Sequence, residues 1–100
     1  MKFSLSTLII ATLAAGAAAD LHNYCICANK SGGQLEYNDS ATRQMCVAYL
    51  KRNTGNKWWD SCPDCTYLST DLLCRSKGKH MGGDQVRAYC AQFGASESRC

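Results

Sequence analysis

The apolar pattern changes period several times along the chain. Phe3 to Ala15 is almost continuously apolar, interrupted only by Ser4, Ser6, Thr7 and Thr12. Lys2 precedes this run, and the small residues Gly16-Ala17-Ala18-Ala19 follow it. A positive start, a short apolar run and an A-x-A end predict a secretory signal peptide over residues 1–19, with Asp20 opening the mature chain. The run is shorter than the roughly 20 apolar residues a spanning helix needs. No second such run follows, so no transmembrane segment is expected.

Beyond the leader, Tyr24-Cys25-Ile26-Cys27-Ala28 reads as a strand, with Cys25 and Cys27 on one face. Asn29 to Gly33 reads as a turn and Gln34 to Tyr37 as a short extended piece. Asn38-Asp39-Ser40 caps a helix from Ala41 to about Asn53. Thr42, Met45, Cys46, Tyr49 and Leu50 form its apolar stripe, and Gly55 supplies a left-handed stop. Lys57 to Ser61 and Thr66 to Cys74 read as two further strands, joined by a turn at Cys62-Pro63-Asp64-Cys65. Arg75 to Gly83 is a basic loop. Asp84 caps a second helix whose Val86, Tyr89, Cys90 and Phe93 recur at helical spacing, and Gly94 stops it. Ala95 to Cys100 leaves room for a last short strand, and a cysteine at the final position predicts a bridge pinning the tail to the sheet. The predicted fold is α+β: a small disulfide-stabilised split β-α-β sandwich, an antiparallel sheet with two helices on one face. Residues 20–100 form one cysteine-rich domain without internal repeats.

Composition adds the compartment. All eight cysteines lie beyond the leader: Cys25, Cys27, Cys46, Cys62, Cys65, Cys74, Cys90 and Cys100. An even count at this density after an export signal predicts four disulfides, with the connectivity left open. So short a chain has a thin core, and each bridge is expected to contribute about 2–4 kcal/mol. The full chain carries 11 basic and 8 acidic side chains. Loss of Lys2 leaves ten against eight, a net charge of +2. That is low for a nucleic-acid binder, and no nucleic-acid partner is expected.

Candidate chemistry is sparse. Cys62-Pro63-Asp64-Cys65 has redox or half-zinc-site spacing, but it sits in a turn rather than opening a helix. It also lacks a second ligand pair in sequence, so it reads as two structural disulfide halves. His22 and His80 are the only histidines; a general acid–base pair, with Glu36 or Glu97 as partner, would resemble a small ribonuclease. Nothing in the sequence fixes either one, and both read as surface residues. No nucleophile motif or phosphate-binding loop is present. No catalysis, cofactor or metal is expected. Trp58 and Trp59 should face opposite ways on a strand, one packed and one free to stack on a sugar or anchor a partner. With Lys77 and Lys79 they form the candidate binding surface. The wider basic set, Lys51, Arg52, Lys57 and Arg75 included, reads as a solvated face. Lys51-Arg52 also resembles a dibasic processing site, but cleavage there would split the first helix. Asn29-Lys30-Ser31 and Asn38-Asp39-Ser40 are sequons, placed in loops, with Asn38 doubling as a cap residue.

The signal peptide ending Ala17-Ala18-Ala19, the stretch Asn23 to Asn29 around C-x-C, the helix opening Ala41-Thr42-Arg43-Gln44-Met45-Cys46 and the spaced remaining cysteines resemble the small secreted cysteine-rich effectors of plant-pathogenic filamentous fungi. The biotrophy-associated secreted proteins of the blast fungus are one such group. The element order also looks like the viral killer toxin secreted by smut fungi. The chain lacks the adjacent Cys-Cys pairs of hydrophobins, and its spacing departs from the eight-cysteine iron-acquisition domains and the lysin-motif effectors. The resemblance implies secretion to the plant–fungus interface, apoplast or interfacial matrix. It also implies action by binding a host protein or wall polysaccharide, and it transfers no catalytic residues. A monomer is expected. A killer-toxin-like or antimicrobial role and a small secreted ribonuclease are the alternatives.

Overall fold

The computed structural model describes residues 21–100; the expected signal peptide, residues 1–19, and Asp20 lie outside the described residues. The elements run β1 (Leu21–His22), β2 (Tyr24–Ser31), β3 (Gln34–Tyr37), α1 (Asp39–Lys51), a 3-10 turn (Trp58–Asp60), β4 (Thr66–Leu68), β5 (Leu73–Arg75), β6 (Met81–Gly82), α2 (Gly83–Gln92) and β7 (Glu97–Arg99). The fold is α+β, with every strand pair antiparallel.

Strand β2 organises the sheet. It pairs with β5 at Tyr24 and Cys25, with β7 at Ile26 to Ala28, and with β3 from Ala28 to Ser31. Cys25 to Ala28 are buried, as expected of a strand contacted on both edges and one face. The strand runs three residues past the expected end. Asn29, Lys30 and Ser31 were expected in the turn but pair with Glu36, Leu35 and Gln34. The turn shrinks to Gly32 and Gly33, at φ +58° and +84°. Two consecutive positive φ values define the hairpin turn whose twist matches its strands, and glycine reaches them without strain.

Helix α1 begins at Asp39, two residues before the expected Ala41, with Asn38 of the expected cap segment as its cap. The Asn38 side-chain oxygen accepts the Ala41 N–H at 3.0 Å, satisfying one of the free donors of the first turn. Asp39 in the first turn and Lys51 in the last suit the helix dipole. Its buried stripe is Ala41, Thr42, Met45, Cys46 and Tyr49. Leu50 was placed on that stripe, yet it is 43% exposed. One residue beyond Tyr49, it has rotated about 100° off the core-facing line. Thr42 is a polar member of the stripe: its hydroxyl accepts the Cys27 N–H and donates to the Asn38 carbonyl, both at 2.9 Å. The helix ends at Lys51, so the dibasic pair lies at its end rather than inside it. Gly55, at φ +82°, lies beyond the cap and shapes the next loop.

Three expected elements are corrected. Lys57 to Ser61 is not a strand; Trp58–Asp60 is a 3-10 turn, because the Asp60 carboxylate takes the Lys57 N–H at 2.9 Å and folds the segment back on itself. Thr66 to Cys74 is not one strand but the hairpin β4–β5, turned by Leu72 at φ +56°. The basic loop contains β6, which pairs with β1. Helix α2 starts one residue before Asp84, so Gly82 rather than Asp84 is its cap. Val86 and Cys90 are buried on its inner side, Tyr89 and Phe93 pack partly against the core, and Gly94 stops it at φ +95°.

The eight cysteines form four bridges: Cys25–Cys100, Cys27–Cys90, Cys46–Cys74 and Cys62–Cys65. Cys25 and Cys74 are cross-strand partners, so they share a face with Cys27. That face receives Cys46 from α1 and Cys90 from α2. Both helices therefore cover one face of the sheet, as the sequence predicts. The tail is bound to the sheet through Cys100.

Candidate functional site

Two loops meet beside the end of α1, residues 54–65 and 76–80. Trp58 and Trp59 leave the 3-10 turn in different directions, since successive side chains there are about a third of a turn apart. Trp58 is 56% exposed, while Trp59 is half-buried. The expected split of the two rings is present, although a turn rather than a strand produces it.

Trp58 is held on three sides. Its indole N–H donates to the Gly78 carbonyl at 2.9 Å. The His80 ring stacks beneath it, 4.2 Å between centroids and 15° between planes. His80 Nδ1 lies 3.0 Å from the Trp58 carbonyl oxygen, and because a carbonyl only accepts, Nδ1 carries the proton in this bond. His80 is thus a support for Trp58. His22, the cross-strand partner of Met81, lines a cleft of about 460 Å³ with Leu21, Trp59, Gly82, Gly83, Asp84 and Gln85. His80, next to Met81 in the chain, does not line that cleft.

The supports continue inward. Asp64, inside the C-x-x-C turn, accepts the Ser76 hydroxyl at 2.7 Å and the Gly78 N–H at 2.8 Å. Burial opposes its charge, but these two donors and nearby His80 outweigh it and hold the carboxyl below its ordinary pKa. Ser76 Oγ also accepts the His80 N–H at 3.0 Å. Tyr49, fully buried, donates its hydroxyl to the Trp59 carbonyl at 2.6 Å and accepts the Gly82 N–H at 3.2 Å. Burial pushes the phenol above its ordinary pKa, against the Gly82 contact. The supporting roles of Asp64, Ser76, Gly78 and the Tyr49 hydroxyl escape a sequence reading, although Tyr49 itself stands on the expected stripe of α1. The one available signal was an acid between two cysteines of a tight turn.

Lys57 adjoins Trp58, and Lys77 and Lys79 flank Gly78, the residue that holds the indole. All three lysines are exposed, and none forms an ion pair among the described residues. Trp58 thus meets the backbone of Gly78, which stands between Lys77 and Lys79 in the chain, and Trp59 lines the neighbouring cleft.

The sulfur atoms of Cys46, Cys65 and Cys74 lie within 4.8 Å of one another. Each is already in a disulfide, and a disulfide sulfur offers no thiolate to a metal. Of the sequon asparagines, Asn29 lies in β2 rather than a loop, while Asn38 is the single residue joining β3 to α1; the Asn38 amide donates to Asn29 Oδ1 at 2.9 Å.

Residues 20–98 match the family model for biotrophy-associated secreted protein 4. The chain belongs to that family. By its description the family is secreted and associated with biotrophy, in keeping with the cysteine chemistry above. No curated protein and no solved structure matches the chain. The expected likeness to the smut killer toxin is not confirmed. No helix among the described residues is long and apolar enough to cross a membrane.

Proposed function

We propose that this family member, cleaved after Ala19, acts outside the fungal cell as a monomeric effector. It works by binding a host protein or wall component in the apoplast or the interfacial matrix, without catalysing a reaction. The observation that carries this reading is Trp58: a large aromatic ring kept 56% exposed by an array of hydrogen bonds rather than buried in a thin core. Leaving such a ring in water forgoes burial that a small domain needs. A fixed, exposed tryptophan is the kind of anchor that dominates binding interfaces. The ribonuclease alternative loses support because His80 is engaged with Trp58 and His22 lines a cleft that His80 does not.

The test compares oxidised wild type with Trp58→Ala, infiltrated into leaf and added to bacterial and fungal cultures. The expected result is a leaf response, or suppression of one, that Trp58→Ala loses, with no effect on the cultures. Growth inhibition with a silent leaf would replace this reading by the toxin one.

A further inference from the structure

The surface around Trp58 has a chemical signature that narrows its ligand. One face of the indole rests on His80, and the residue is still 56% exposed. Its position is fixed by the bond to Gly78, so little conformational entropy is lost when something stacks on it. Lys57 precedes it in the chain, Lys77 and Lys79 flank the Gly78 that holds it, and none of the three has an acidic partner among the described residues. A second hollow, about 290 Å³, lies alongside and is lined by Asp64, Thr66, Leu68, Arg75 and Lys77. Its one acid, Asp64, has both carboxylate oxygens engaged, by Ser76 and by Gly78. What remains free to meet a ligand is positive charge beside a flat aromatic ring.

We propose that this surface binds an extracellular polysaccharide of uronic-acid type, one sugar ring stacked on Trp58 and its neighbours' carboxylates on Lys77, Arg75, Lys79 and Lys57. The inference rests on the reading of the Trp58 surface as the binding face. A pyranose ring offers a flat C–H face of indole size, and a polyuronate repeats one carboxylate per ring. Charges then fall on either side of the stacked sugar, where the basic groups stand. An anionic membrane fits less well. An inserting tryptophan needs exposed apolar neighbours, and here Trp59 is half-buried, His80 covers one face, and the exposed neighbours are Lys57 and the Lys77–Gly78–Lys79 segment.

The test titrates the oxidised mature chain with three probes: polygalacturonate, the same polymer fully methyl-esterified, and phosphatidylserine vesicles. Calorimetry gives affinity, and the Trp58 indole N–H resonance reports the site. Polygalacturonate is expected to bind and shift that resonance, and added salt to weaken it. Trp58→Ala, and separately Lys77→Gln with Lys79→Gln, are each expected to weaken it about tenfold, the size of one lost stacking or charge contact. Trp58→Phe, which keeps a ring, should lose less and guards against a folding artefact. Equal binding of the esterified polymer, preference for vesicles, or affinity unchanged in the variants would overturn the proposal. If polygalacturonate does not bind while Trp58→Ala still silences the leaf response, the ligand class is wrong and the binding reading stands. If Trp58→Ala changes neither, both fall.

Discussion

Two regions of this molecule are kept rigid in different ways. The sheet and its helices are crossed by bridges that join residues 63 and 75 positions apart, and a third spans 28. Within the loops of the Trp58 surface the bridge is Cys62–Cys65, three positions apart, and it packs against Cys46–Cys74 of the core. Polar contacts do the rest: Asp64 to Ser76 and Gly78, Trp58 to Gly78, and Tyr49 to Trp59 and Gly82. A long-range bridge removes much freedom from the unfolded chain, and a four-residue loop removes little. The covalent links thus fix the fold, and the hydrogen bonds fix the face that meets a partner. Reduction should act chiefly on the first region. Acid and single polar substitutions should act chiefly on the second.

The largest expected effect separates the two kinds of bridge. Cys27→Ala with Cys90→Ala is expected to cost about 4 kcal/mol, from closing a loop of over sixty residues, and to unfold the domain at moderate temperature. Cys62→Ala with Cys65→Ala is expected to cost about half as much and leave a folded protein. Thermal unfolding followed by circular dichroism checks both. Equal losses would show that the short bridge is as structural as the long one.

Tyr49→Phe probes the joint between the regions. The ring stays in the core, but the hydroxyl leaves the Trp59 carbonyl and the Gly82 N–H without their partner. Unsatisfied buried groups cost about 1–3 kcal/mol. The expected outcome is that loss in urea unfolding, with a change in Trp59 fluorescence. A change in stability alone would confine Tyr49 to the core.

How much of this comparison was legible beforehand follows from the range of the forces involved. Local signals worked. Asn38 as a cap, the α2 stripe of Val86, Tyr89, Cys90 and Phe93, and the pinned Cys100 tail all depend on neighbours within a turn or on a terminus. The covering of one sheet face by both helices followed from C-x-C and the helical cysteines. The second region was misread because its conformation depends on contacts outside the window. Lys57 to Ser61 has a strand-like pattern, and only the Asp60 carboxylate and the path at Gly55 make it a turn. Trp58 could be singled out from the sequence, but its supports Gly78, Ser76 and Asp64 could not. Their roles come from a meeting of two loops up to 20 residues apart.

Gly55 makes a sharper test of the loop side. At φ +82° an added Cβ would stand 2.2 Å from the Asp60 carboxylate oxygen. Gly55→Ala combines a disfavoured backbone with a direct clash, at an expected cost of about 1–2 kcal/mol. The bond from Lys57 N–H to Asp60 should break first, freeing the 3-10 turn. Hydrogen exchange at the Lys57 amide should accelerate while the core strand β2 stays protected. Uniform acceleration in both places would mean that the two regions unfold as one.

The smallest expected effect is acid loosening at Asp64. Its folded-state pKa is depressed, chiefly by the Ser76 hydroxyl and the Gly78 N–H acting against burial. A depressed carboxyl contributes stability that is fully present above its unfolded pKa, near 4, and is lost as pH falls through the lower folded value. The surface should therefore hold from neutrality down to about pH 4 and loosen below it. Asp64→Asn removes the charge at every pH. It is expected to cost about 1 kcal/mol at neutrality, typical of a partly exposed hydrogen-bonded carboxylate, and to flatten this acid dependence. The readout is the Trp58 indole N–H resonance followed from pH 7 to pH 2. A wild-type shift below pH 4 that Asp64→Asn lacks would tie the platform to this carboxylate. The same shift in both would show that the platform does not depend on the Asp64 carboxylate. The acid-sensitive clamp would then lie outside the Asp64–Ser76–Gly78 contacts, and the account of polar rigidity on this face would have to be redrawn.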